Sequence, residues 1–136
     1  MALRIALQLY SIKDEMPDGL EPALAELADC GYNAVEFAGY YDMTARDLRG
    51  LCQQYGLEPF SSHVSIDLLE NDLDGVAEYS RNLGLEYVIC PYADFETMED
   101  VEHVAAVLNK ARERLAPLGI RTGYHNHAHE FKTIDG

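Results

Sequence analysis

The sequence is poor in basic residues: 10 lysines and arginines stand against 24 aspartates and glutamates, for a formal net charge of −14. That balance repels phosphate backbones and anionic bilayers, so neither nucleic acid nor a membrane surface is an expected partner. It leaves the charge of a small-molecule ligand open, because net charge says little about one cleft. Cysteine is scarce too. Cys30, Cys52 and Cys90 show no CxxC spacing, which argues against a disulfide framework and for a reducing, cytoplasmic setting. No stretch reaches the length of about eighteen apolar residues that a membrane helix needs. The opening MALRIALQLYSIKDE alternates apolar with polar positions and lacks the unbroken apolar core of a signal peptide. GxGxxG, GxxxxGK[ST] and GxSxG are all missing, which removes the usual support for dinucleotide, nucleotide and serine-hydrolase chemistry.

What the sequence does contain is a repeat. With 136 residues, 48% of them hydrophobic, the chain can bury one real core, and residues 1–136 are read as a single domain. Four times an amphipathic helical pattern ends at glycine and an apolar residue leads into a β-type run: Gly31-Tyr32, Gly56-Leu57, Gly84-Leu85 and Gly119-Ile120. The first helix places Leu20, Ala23, Leu24, Leu27 and Ala28 on one face, with Pro22 tolerable in its opening turn. The second opens with Thr44 as N-cap and Asp47 three residues on, and turns Leu48, Leu51, Cys52 and Tyr55 inward. A third carries Leu73, Val76, Ala77 and Leu83, weakened at Gly75 by roughly 1 kcal/mol relative to alanine. The fourth starts near Thr97 with Asp100 at the capping-box position. It repeats Val101, Val104, Ala105, Leu108, Ala111 and Leu115 before Pro117 stops it.

The β-type runs lie near residues 3–11, 33–38, 57–64, 86–92 and 120–127. Strands separated by helices are parallel with right-handed crossovers. Two α/β architectures accommodate the order. One is an open doubly wound, flavodoxin-like sheet, which suits this length. The other is the first five strands and four helices of a TIM (β/α)8 barrel, whose full form takes about 250 residues. The last strand is followed only by residues 128–136, without a closing helix, which favours an interrupted barrel.

In both architectures ligands bind at the C-terminal ends of the strands. The residues collected there are Gln8 and Ser11, then Glu36, then Ser61, Ser62 and His63, then Cys90 and Tyr92, and finally His125, Asn126, His127, His129 and Glu130. In a strand of period two, His125 and His127 point to one face and converge. Imidazole with carboxylate suits Mn, Zn, Co or Fe(II). Glu36 and His63 are expected to line the same pocket, with Tyr10, Tyr92 and Phe95 as candidate walls. A surface pairing of Glu36 with Lys13 or Arg4 is the structural alternative. Cys90 has no base partner and reads as a small apolar residue. His103 sits on the fourth helix, away from the strand ends, and is expected in solvent.

LQLYSIKD, GYNAVEFAGYYDMTARDL, SSHVS and above all GYHNHAHEF resemble the xylose isomerase-like TIM barrels, the sugar phosphate isomerases and epimerases, over the whole chain. The resemblance implies one divalent metal (Mn, Mg, Co or Zn) held by two glutamates, an aspartate and a histidine from strands five to eight, and a sugar or keto-sugar substrate. Carried over, Glu130 would be the first metal-ligating glutamate and the catalytic base, with His125 as the alternative ligand. Glu36, His63, His125 and His127 would bind substrate. Strands six to eight would supply the other ligands, so the chain by itself is expected to be an inactive part of an isomerase or epimerase site, prone to self-association through exposed barrel edges. A non-catalytic sugar- or metal-binding half-barrel and a dehydratase or lyase acting on a keto-sugar or inositol are the alternatives. The acidic balance disfavours the metal-dependent endonucleases that share the barrel.

Overall fold

The computed structural model describes residues 3–16 and 19–134. The final two residues of the stretch after the last expected strand, 135 and 136, therefore lie outside the described residues. Five strands, β1 (Ala6–Gln8), β2 (Ala34–Phe37), β3 (Glu58–His63), β4 (Tyr87–Cys90) and β5 (Arg121–Tyr124), alternate with helices α1 (Leu20–Asp29), α2 (Ala45–Gln54), α3 (Ile66–Asn71), α4 (Leu73–Leu83) and α5 (Met98–Leu115). All neighbours pair in parallel and the spatial order is β1-β2-β3-β4-β5. That order decides between the two architectures. A doubly wound sheet reverses its strand order at a switch point and carries helices on both faces, whereas consecutive right-handed crossovers put every helix on one face. The flavodoxin-like alternative is thus excluded, and the sheet with its flanking helices is that of an incomplete (β/α)8 barrel.

The joints behave as their glycines require. Gly31, Gly56, Gly84 and Gly119 have φ of 88°, 68°, 92° and 79°, a region that side chains with a Cβ enter at a cost. Both expected N-caps are made. Thr44 Oγ1 accepts from the Asp47 N–H at 3.2 Å, and Thr97 with Asp100 closes a full capping box. Gly75 turns out to serve a cap rather than to weaken a helix: a Cβ there would lie 2.4 Å from the Asp72 carboxylate, which accepts from the Gly75 N–H.

The main core lies between sheet and helices, from Leu9, Leu24, Val35, Phe37, Leu48, Leu69, Leu83, Val88 and Leu115, all fully buried. Three expectations need correction. The first run is not one long strand: β1 stops at Gln8, whose side chain caps a 3-10 segment, Leu9–Glu15, by accepting from the Tyr10 N–H. α3 was not expected; it fits between strand and helix because Ser65 caps it and Leu69 is buried. On α5 the inward face holds Val107 and leaves Ala105 exposed.

A bulge sets the face presented by β3. Val35 pairs with Pro59 but Glu36 pairs with Ser61, so Phe60 is the extra residue, next to a proline that has no N–H to give the ladder. Beyond the bulge Ser62 faces the core, fully buried, and Ser61 and His63 share with Glu36 the face turned away from the helices. A one-residue slip would send His63 to the other face.

Candidate functional site

A cavity of about 520 Å³ opens at the C-terminal ends of the strands, lined by Gln8, Tyr10, Ser11, His63, Tyr92, His125 and His127 among others. Larger grooves cross the outer helices, such as one of about 740 Å³ between α2 and α4 and one of about 810 Å³ beside Tyr41 and Tyr55. Neither is lined by a histidine.

On one side of the cavity, Gln8 donates through Nε2 to Glu36 Oε1 at 2.7 Å, and His63 Nε2 lies 3.2 Å from the same oxygen. That contact is not a hydrogen bond, and this buried nitrogen has no partner among the described residues. Burial pulls the His63 imidazole below its ordinary value; Glu36 opposes that, and His125 and His127 reinforce it. Glu36 is paired neither with Lys13, which reaches Tyr10, nor with Arg4, which bonds Glu58 and Glu86. Glu36 stands behind His63, touching the cavity through its neighbours.

On the other side the histidine motif departs from strand geometry. β5 ends at Tyr124, and the N–H of His125 makes the last bond to the sheet, to Cys90 O at 2.9 Å. His125 and His127 converge all the same, ring centroids 4.9 Å apart, through the loop rather than through strand alternation. The His125 ring meets His63 edge-on at 5.3 Å. Glu130 lies in a short 3-10 turn, His129–Phe131, and folds back on the loop. Its Oε1 accepts from Tyr124 Oη at 2.6 Å, and its Oε2 accepts from the His127 N–H at 2.7 Å. Burial raises the Glu130 carboxyl, but these bonds outweigh it and hold it below its ordinary value. Burial and the same carboxylate push the Tyr124 phenol up.

Among the described residues, one group of three brings metal-ligating atoms within 4.8 Å of one another: His127, His129 and Glu130. Two imidazoles and a carboxylate fit a divalent metal of the zinc class. His125, the expected alternative ligand, is not in that group, and His129, which sequence reasoning left without a role, is. The signal available for it was its place in the 125, 127, 129 series. Tyr10 and Tyr92 wall the cavity as expected. Phe95 instead is buried in a small second core with Ala93 and Val104. Cys90 is fully buried and its thiol is pushed up by burial, as a packing residue's would be. His103 is exposed beside Glu70.

The chain resembles the xylose isomerase-like, sugar phosphate isomerase barrels and covers roughly half of one. No protein-family profile matches it. It is 26% identical, over 157 aligned positions, to the rhizopine catabolism protein MocC of Rhizobium meliloti, covering 93% of this chain and 48% of that protein. A solved sugar phosphate isomerase/epimerase from Parabacteroides distasonis superposes with a TM-score of 0.85 at 25% identity, over 96% of this chain and 54% of the other. An IolI protein crystallised with a zinc atom shares the fold, with a TM-score of 0.67 at 15% identity over 90% of this chain and 51% of its own. The chain thus spans about half the length of the relatives it matches. Among its described residues no helix is long and apolar enough to cross a membrane.

Proposed function

We propose that this chain supplies the first five strands' share of a divalent-metal-dependent sugar isomerase or epimerase site, as a single partial barrel domain. The observation that carries the reading is the cavity at the strand ends, where Gln8 of β1, His63 of β3, and His125 and His127 of the loop after β5 converge. Hydroxyl-rich ligands suit such a lining, since Gln8 and the imidazoles both donate and accept, and the Tyr10 and Tyr92 rings offer apolar surface. Glu36 orients Gln8 and sits beside His63, whose burial keeps it neutral and able to hand on a proton.

In this reading Glu130 is the first metal-ligating carboxylate and the base that takes a proton from the carbon next to a carbonyl, with His125 at the cavity side. A divalent metal bound there would polarise that carbonyl and its neighbouring hydroxyl. The zinc atom in the IolI relative and the isomerase/epimerase relative support this class of chemistry. The ligand set present here is part of one, so proton transfer on both faces of a substrate needs groups that the remaining strands of a barrel would bring. Self-association through the β1 and β5 edges, with Leu3 and Ile5 exposed just before β1, and a cytoplasmic setting for three free cysteines complete the proposal.

The test is to incubate the chain with Mn and a panel of ketoses and keto-sugars in D2O, following the His63 and His125 ring signals and deuterium uptake next to the carbonyl. Sugar-dependent shifts without deuterium uptake are expected. Clear uptake that Glu130→Gln removes would mean a complete site assembles from this chain alone. No shift with any sugar would end the sugar reading.

A further inference from the structure

We infer that the loop after β5 is itself a cation site, in which His127, His129 through Nδ1, and Glu130 hold one zinc-class divalent ion. It shares Glu130 with the proposed function but replaces His125, and it holds whether or not the chain ever turns over a sugar.

His129 is fixed from three directions by the segment after β4. Its ring lies against Tyr92 at 4.7 Å and stacks on Phe95 at 6.2 Å, and its Nε2 lies 2.9 Å from the carbonyl oxygen of Ala93. A carbonyl oxygen only accepts, so Nε2 carries the hydrogen and a neutral ring turns a lone pair outward at Nδ1. That lone pair faces Glu130 Oε2 at 3.3 Å. Two electron pairs held that close repel unless a proton or a metal ion sits between or beside them. A histidine whose far N–H is anchored to a backbone carbonyl, presenting its other nitrogen beside a carboxylate, is the arrangement that metal-ligating histidines adopt.

The carboxylate is anchored in the same way. Tyr124 Oη and the His127 N–H fix its two oxygens and leave lone pairs free on both. The third donor comes from His127, and all three ligand atoms already lie within 4.8 Å of one another. Ligands of a tetrahedral zinc, with bonds of about 2.0–2.1 Å, sit roughly 3.3 Å apart, so closure asks for a contraction of at most about 1.5 Å in a partly exposed loop. His127 also lines the cavity. The open fourth position therefore borders the space where a hydroxyl, carboxylate or water could complete the shell.

Zinc titration by calorimetry tests this on the whole chain carrying Cys30→Ser, which removes its exposed thiol, alone and with His129→Phe or His125→Ala added. His129→Phe keeps an aromatic ring between Tyr92 and Phe95. One equivalent of zinc is expected, with affinity lowered about tenfold or more by His129→Phe and essentially unchanged by His125→Ala. Equal affinity in His129→Phe, or an equal loss in His125→Ala, overturns the assignment. Should either variant misfold, cobalt added to the Cys30→Ser chain decides the matter. The ring signals of His127 and His129 should broaden before those of His63 and His125, and the reverse order overturns it. Failure of the sugar test leaves these outcomes untouched, and their failure leaves sugar binding at the cavity untouched.

Discussion

At the N-terminal end of the sheet the carboxylates of Glu58 and Glu86 are answered by the guanidinium of Arg4; at the C-terminal end those of Glu36 and Glu130 are answered by amides and a phenol, with imidazoles beside them. Below, Arg4 lies 4.6 Å over the Phe60 ring, Phe60 packs against Tyr87 at 5.1 Å, and Arg121 bonds the Tyr87 hydroxyl at 2.6 Å. A guanidinium never gives up its charge, so those two carboxylates share a permanent cation. An imidazole can lose its proton or turn its lone pair to an ion, and among the described residues no lysine or arginine lines the cavity above. The same residue classes close one end of the sheet and leave the other available for chemistry, which is the division of labour that parallel barrels show between their two faces.

The hardest blow to this comparison would come from the lower end. Phe60→Ala removes a half-buried ring from the Arg4–Tyr87 stack and should cost about 2 kcal/mol in urea unfolding, while zinc affinity of the folded fraction stays as it was. A parallel loss of zinc affinity would mean that the two ends are not separate. A smaller effect is expected on acidification. His63 titrates below its ordinary value of 6.5 in the folded state, so the unfolded chain takes up its proton first. Its contribution to stability is whole above pH 6.5 and declines as pH falls toward the folded value. Glu130, held below its ordinary 4.5, adds a second loss only in more acid solution. Urea midpoints against pH, with the His63 ring proton followed by NMR, should show the first decline, and His63→Gln should flatten it. The smallest effect belongs to Arg4→Ala. Its ion pairs are exposed, so melting should drop slightly at low salt and the difference should shrink at high salt. A difference that persists would point to the stack on Phe60 rather than to charge.

Much of the architecture was legible because it rests on local rules. The four glycine joints, the caps at Thr44 and Thr97, and the inward faces of the helices are each specified within a few residues. α3 was missed because six residues are too few for a helical period to stand out. The strand reading of residues 120–127 failed at its far end because the ladder bond of His125 to Cys90 is the last that β4 can offer. Of the site, the strand-end residues were readable as a set, since a parallel sheet delivers them to one edge whatever their exact register. The role of His129 was not, because its anchors, Tyr92, Ala93 and Phe95, lie more than thirty residues away in the chain.

By itself, then, the sequence determined that β and α units alternate, where the four longer helices lie, and which residues gather at the C-terminal edge of the sheet; these depend on periodicity and on backbone preferences that act over one turn. Tertiary structure alone decided that the strands run in consecutive order, that the bulge at Phe60 turns His63 toward Glu36, and that Glu130 folds back onto Tyr124 and His127. Each of those depends on a partner distant in sequence, and a side-chain period of two lets a single unpaired residue reverse which face a histidine serves.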